Sequence, residues 1–270
     1  MAKMNELPES CISMILSFTT PRDACKLASV SRLFRSAASA DSLWHTWLPP
    51  HYPQILSNPL SPITFSSKKQ LYFCLCQSIL LDGGTKRFLL HPPTAKICYM
   101  LSARELSIVW GDDQRYWTWS PGDVANSRFK EVAEVTKVAW LDVHGRFDCG
   151  LLSPNTDYSV SFLIKFGHRY YGWNVLPLKF FVTTAEGDEV KSGRLLVERE
   201  GASIDPNLKI APLNYDSDGW MEVVAGEFTV NSYSDADAPK YVEFGMKEVD
   251  SGRWKSGLFF DGVKIQPKSA

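Results

Sequence analysis

Trp110 and Trp117 flank a polar stretch that opens with the turn Gly111-Asp112-Asp113. An indole offers a broad apolar plane and one N–H donor, a combination that stacks well on the C–H face of a sugar ring. Tryptophan is also an ordinary core residue, so position has to separate the two uses. A loop at the end of a strand is where binding residues gather, held in place by the sheet behind it. Trp119 alternates with Trp117 and reads as core or as part of a helix face. Glu248 is the second candidate. Alternation from Tyr241 puts Val242, Phe244, Met246 and Glu248 on one strand face. A carboxylate on an apolar face must reach water or find donors, because unpaired burial is costly. Sugar hydroxyls or a tryptophan N–H would serve; a bulge at Gly245, or simple exposure at the strand end, would account for it as well.

Other chemistries find no support. The histidines, at 45, 51, 91, 144 and 168, form no His-Glu-x-x-His spacing, and there is no P-loop or Gly-x-Gly-x-x-Gly. Asp112-Asp113 reads as a solvated or capping pair rather than a catalytic dyad. Cys74-Leu75-Cys76 has a one-residue gap and no companion pair at zinc spacing, so neither a metal nor a cofactor is expected. Intrinsic catalysis is not expected either. The net charge of −1, from 29 basic and 30 acidic residues, gives no footprint for nucleic acid or an anionic membrane. No apolar run is long enough to span a bilayer, and the first residues lack the apolar core of a signal peptide. Six scattered cysteines and no Asn-x-Ser/Thr sequon suit a reducing compartment, the cytoplasm and nucleus.

The elements that position the candidates fall into two styles. Up to Trp47 the pattern is helical. Pro8 suits a first turn, with Ile12, Ile15 and Leu16 following at i, i+3, i+4. Thr20-Pro21-Arg22-Asp23 has the form of a capping box, Ser31 is placed to cap a helix with Leu33 and Phe34, and Asp41 to cap one with Leu43, Trp44 and Trp47. So short a stretch buries too little surface to stand alone and carries no staple, so a partner is expected to cover it. Five prolines between Pro49 and Pro62 mark a stiff connection, after which Ser66-Ser67-Lys68-Lys69 opens a helix running over Leu71, Leu75, Ile79 and Leu80 to Gly83-Gly84. From about Lys96 the period becomes two. Strands are expected over 138–143, 158–164, 179–182 and 241–246, with turns at His144-Gly145, Glu186-Gly187-Asp188 and Asp261-Gly262. Short helical turns are expected near 103–105 and 126–134. Many short strands without long helices between them point to an antiparallel sandwich.

The ordered series Leu7-Pro8, Ile15-Leu16, Val30-Ser31-Arg32-Leu33-Phe34 and Trp44 resembles an F-box over residues 5 to about 48. That resemblance implies docking on the Skp-type adaptor of a cullin–RING ubiquitin ligase, through Leu7, Pro8, Ile12, Ile15, Leu16, Val30 and Trp44. The later chain is similar to the Nictaba-type lectin, or phloem protein 2, family of plants. Matching segments include Tyr99-Met100-Leu101-Ser102-Ala103-Arg104, Trp110-Gly111-Asp112, Tyr116-Trp117 and Val138-Ala139-Trp140-Leu141-Asp142-Val143-His144-Gly145. Asp218-Gly219-Trp220-Met221-Glu222, Trp254-Lys255-Ser256-Gly257-Leu258 and Lys264-Ile265-Gln266-Pro267 complete the series. The lectin resemblance implies binding of N-acetylglucosamine oligomers and N-glycans through Trp110, Trp117, Glu248 and a second acidic position. Tyr241 occupies that second position, with Glu243 two residues on along the same face. Tyrosine can stack or donate but cannot accept as a carboxylate does, so sugar specificity departs from the family pattern here.

The expected architecture is multidomain, α plus β: an F-box at 1–50, a Pro-rich linker with one helix at 51–95, and a jelly-roll-like β-sandwich lectin domain at 96–268. The order of domains resembles plant F-box proteins of the phloem protein 2-B group. It implies a non-catalytic ligase subunit that captures client proteins, N-glycosylated ones included, for ubiquitination. Two rivals stay open: a cytosolic or nuclear lectin of stress responses, and a recognition module that reads protein alone.

Overall fold

A computed structural model describes residues 7–184, 189–190, 194–195, 213–215, 217–232 and 240–268. Two compact units emerge. One takes the chain up to Gly83 together with Arg87–Cys98; the other takes Gly84–Lys86 and everything from Tyr99 on.

The first unit begins with α1 (Glu9–Ser17), α2 (Pro21–Leu27), α3 (Arg32–Ala37) and α4 (Asp41–Trp47). Local capping explains where two of them begin. The Thr20 hydroxyl accepts from Asp23 N–H at 3.1 Å and donates to the Asp23 carboxylate at 2.8 Å. Ser31 Oγ accepts from Phe34 N–H at 3.2 Å. Asp41 does something else: Ala40 is the cap of α4, and the Asp41 carboxylate instead accepts from Lys68 N–H at 2.8 Å, fastening a later helix. Ile12, Leu16, Ala24, Phe34, Leu43 and Trp44 form the interior. The Trp44 indole N–H donates to the Ala38 carbonyl at 2.7 Å, so its one polar atom is satisfied inside the core.

Residues 51–95, expected to be a linker with one helix, hold α5 (Tyr52–Ser57), α6 (Lys68–Leu75), β1 (Ile79–Leu81) and β2 (Lys86–Leu90). Up to Gly83 and again over Arg87–Ala95, this segment belongs to the compact first unit. Leu71, Tyr72 and Leu75 of α6 are buried, and the Tyr72 ring centroid lies 5.1 Å from that of Trp44. The helix stops at Leu75 because the next apolar residues pair sideways: Leu60 N–H donates to the Leu80 carbonyl at 2.8 Å, and Pro59 bridges Leu81.

The second unit is an antiparallel β-sandwich preceded by a helical first unit, the expected fold class. Its elements begin with β3 (Ile97–Ser102), a 3-10 turn at Ala103–Glu105, β4 (Ser107–Ile108), β5 (Trp117–Pro121), α7 (Gly122–Ala125), β6 (Glu131–Val135), β7 (Leu141–Asp148), β8 (Thr156–Tyr171) and β9 (Leu178–Thr184). They continue with β10 (Glu189–Val190), β11 (Arg194–Leu195), β12 (Leu213–Tyr215), β13 (Met221–Val230), β14 (Tyr241–Glu248) and β15 (Ser256–Pro267). One sheet orders β3-β15-β8-β13-β12, with β6 also on β15 and β5 on β6; the other orders β10-β9-β14-β7-β4, with β11 on β9. Phe162 and Phe260 from the first sheet meet Phe180 and Phe244 from the second in one apolar interior.

Two expected turns are strand interiors. Gly145 lies within β7, where a Cβ would come within 2.4 Å of a Leu106 methyl; the glycine makes room for packing rather than reversing the chain. Gly262 (φ 155°) sits at a bulge in β15, its absent Cβ replaced by close approach of the Leu101 carbonyl. Asp261, beside it, is fully buried and accepts from Ser127 Oγ and from Arg128 at 3.0 Å, tying the loop after α7 to the sheet. The stretch expected to turn helically over 126–134 is instead the loop that follows α7 and then β6. The third expected turn, at 186–188, lies outside the described residues.

Candidate functional site

Of the seven residues assigned to adaptor contact, the helices divide the set. Ile12, Leu16 and Trp44 are fully buried. They hold α1 and α4 together and do not present a surface in this conformation. Pro8, Ile15 and Val30 are exposed and Leu7 is half-buried. Two exposed residues escaped the sequence reading: Met14, and Phe18, which is 86% exposed. Large apolar side chains left in water on so small a unit mark an interaction face. Their signal was the absence of any polar residue at positions 14 and 15, which a single i, i+3, i+4 stripe does not require.

The four residues assigned to sugar binding are not one constellation. Trp110 is 47% exposed with φ 57°, an uncommon conformation for a residue with a Cβ. The strand end beneath it is braced: the Trp117 indole donates to the Val109 carbonyl at 3.2 Å and the Trp119 indole to the Gly111 carbonyl at 2.8 Å. Arg104 stacks on Trp119, its guanidinium 3.4 Å from the ring centroid, and pairs with Glu131 at 2.9 Å. The Asp113 carboxylate, held below its usual range first by the Arg115 side chain, also accepts from Arg115 N–H at 3.0 Å. The turn thus displays Trp110 against Tyr116, centroids 4.9 Å apart and planes tilted by 32°, as an exposed aromatic platform.

Trp117 is 1% exposed, with its one donor already used. It supports the platform and offers no ring face to a ligand. Glu248 is buried and engaged. One carboxylate oxygen accepts from Asp250 N–H at 3.1 Å and Ser251 N–H at 2.9 Å; the other accepts from Ser251 Oγ at 2.6 Å and from the Lys255 ammonium. Burial alone would raise its pKa, but the Lys255 and Ser251 hydrogen bonds prevail and hold it below the ordinary value. The register of β14 on β7 shows no bulge at Gly245, so Glu248 faces inward by regular alternation, and Lys255 is the donor that alternation demanded. Tyr241 is exposed beneath the Arg146 guanidinium, 3.6 Å from its centroid. It pairs with Asp148 at one end of β14 while Glu248 pairs with Leu141 at the other, ~23 Å away at about 3.3 Å per residue. Trp110 belongs to the Glu248 end, since Val109 N–H donates to the Asp142 carbonyl at 3.0 Å.

A family model described as phloem protein 2 matches residues 96–267, and one described as F-box-like matches residues 4–47. An Arabidopsis thaliana protein named F-box protein PP2-B15 is 37% identical, covering 97% of this chain and 96% of its own. The chain belongs to the F-box proteins of the phloem protein 2-B group. Another relative, F-box protein VBF of the same plant, is 33% identical over 98% of this chain and the whole of its own. Among solved structures, a Caldicellulosiruptor saccharolyticus CBM27-1 in complex with mannohexaose is 13% identical with a TM-score of 0.34, covering 64% of this chain and 98% of its own. In this F-box protein the lectin-like sandwich therefore keeps one exposed member of the expected tryptophan pair, and turns the acidic member at 248 to the interior.

Proposed function

We propose that this F-box protein is the substrate-recognition subunit of an SCF-type cullin–RING ubiquitin ligase. The helical unit docks on a Skp-type adaptor, and the lectin-like domain captures client proteins, N-glycosylated ones included. The observation that carries the reading is the set Met14, Ile15, Phe18 and Val30, each apolar and open to solvent on the unit that matches the F-box model. The buried Ile12, Leu16 and Trp44 pack the helices beneath it. The chain does no bond chemistry of its own; it raises the local concentration of client lysines near the ubiquitin-loaded enzyme. For the second half, the Trp110–Tyr116 platform is the surface best suited to stack on a sugar ring. Six free thiols suit a reducing environment, and we place the protein in the cytoplasm and nucleus.

Co-expression of the full chain with a Skp-type adaptor tests the first half. Co-purification that survives Ile15→Asp/Phe18→Asp refutes the docking face. A glycan array probed with the same complex, against Trp110→Ala, tests the second half. Silence across all glycans would favour a module that reads protein alone.

A further inference from the structure

The outward face of the β9-β14-β7-β4 sheet carries a concavity of about 570 Å³, the size of an ordinary ligand site (roughly 300–1,000 Å³). None of the residues assigned from the sequence lines it. Glu243 and Arg146, Glu105, His144, Ser107 and Phe181 are its principal walls. Register explains the convergence: Glu243 lies directly opposite Arg146 across β14 and β7, and Gly245 lies between His144 on one side and Phe181 on the other. At Gly245 a Cβ would sit 2.2 Å from the Phe181 ring, so the glycine lets that ring lie across the strand as an apolar floor.

Two of the charged walls, Glu243 and Arg146, are presented rather than consumed. Glu243 and Arg146 are cross-strand neighbours of opposite charge, yet no ion pair joins them. Among the described residues the Glu243 carboxylate has no hydrogen-bond partner at all. Arg146 is held flat on Tyr241 by stacking, which orients its N–H edge without using any of its donors on a described residue. Glu105, by contrast, is neutralised by Lys86 at 3.2 Å and accepts from the Thr85 hydroxyl at 2.5 Å. Its charge is answered locally, His144 Nδ1 lies 3.5 Å from the Asp142 carboxylate, and the Lys247 ammonium stands 5.1 Å from the Phe181 ring centroid, so the unengaged pair at the mouth among the described residues is the Glu243 carboxylate and the Arg146 guanidinium.

We infer that this sheet-face concavity is a second carbohydrate site, taking a neutral pyranose unit distinct from anything stacked on Trp110. A vicinal diol matches the free pair: each hydroxyl donates to Glu243 and accepts from Arg146, as neither a simple anion nor a simple cation can. The apolar face of the ring lies on Phe181. Tyr241, which departs from the family's acidic pattern, then acts as the platform that holds the Arg146 guanidinium in position, and the acceptor is Glu243. This inference rests on the carbohydrate-reading half of the proposed function.

The test uses the full chain with its adaptor on a glycan array and, for the best neutral glycan found, titration by calorimetry. Glu243→Gln and Phe181→Ala are each expected to weaken binding at least tenfold; Glu243→Gln keeps the shape, removes the charged acceptor and leaves the unfolding midpoint of the sandwich at the parent value. Combined with Trp110→Ala, the loss should be greater than for either alone. Binding that falls with Trp110→Ala but is unchanged in both Glu243→Gln and Phe181→Ala overturns this site and leaves the wider reading standing. An array with no bound glycan overturns the carbohydrate reading, and this site with it.

Discussion

Replacing Glu248 by alanine separates a ligand residue from a structural one. In the native sandwich its carboxylate answers the Lys255 ammonium, whose side chain is 1% exposed, and satisfies two backbone N–H groups in the turn after β14. Lys255 also donates to the Ala139 carbonyl at 2.9 Å and the Arg253 carbonyl at 3.0 Å, so truncation leaves it with dipoles but no counter-charge. Removing one partner of a buried ion pair costs about 3–5 kcal/mol. For a unit of this size that lowers the melting temperature by roughly 6–20 °C, at about 2–4 °C per kcal/mol. The readout should be local, because two compact units need not unfold together; hydrogen exchange of the β7 and β14 amides during urea unfolding reports this sandwich alone. Glu248→Leu/Lys255→Met should recover at least about 2 kcal/mol of the loss, since the demand for a counter-charge disappears with the lysine. If Glu248→Ala unfolds with the parent protein yet loses a glycan, the carboxylate is a ligand contact and the structural argument is wrong.

The same pair sets an acid limit. The Glu248 pKa is lower folded than unfolded, so its contribution is present above the unfolded value and is lost as pH falls through the folded one. Urea midpoints taken downward from about pH 5 should fall less steeply in Glu248→Gln than in the parent. Trp117→Ala should cost about 3–5 kcal/mol, whereas Trp110→Ala, on the exposed side of the same turn, should stay within about 0.5 kcal/mol; urea denaturation of both variants checks the contrast. On the helical unit, Leu16→Ala should cost about 2–5 kcal/mol by opening a cavity. Phe18→Asp should leave stability within about 0.5 kcal/mol while abolishing co-purification with the adaptor.

Much of the architecture was local and therefore legible in the chain. Thr20 and Ser31 announce helix starts because a side-chain oxygen three residues ahead of a free N–H is a purely short-range device. Alternation along Tyr241–Glu248 put Glu248 on the apolar face, and the structure buries it there rather than bulging at Gly245 or exposing it at the strand end, because side-chain direction in a strand has period two whatever it packs against. What alternation cannot supply is the partner. Lys255 lies just ahead of the next strand, past the turn at 249–254 and bridged to Val138, and only the folded sandwich brings its ammonium to that carboxylate.

Position in space likewise decided between identical residue types. Trp110 and Trp117 read alike as letters, and it is the left-handed turn at 110 and the pairing of Trp117 with Val135 that turn one outward and bury the other. Glycine at 145 and at 262 suggested chain reversal, but each is a place where a neighbour fills the space of a missing side chain. Of the sheet-face concavity only Glu243 had a sequence signal, because Arg146, Phe181 and Glu243 lie on three strands far apart in the chain. Sequence by itself determined the two modules and the faces of their elements, since hydrophobic period and capping act over a few residues. Tertiary structure decided which polar groups are spent on one another and which remain free for a ligand, because that depends on cross-strand register between distant segments.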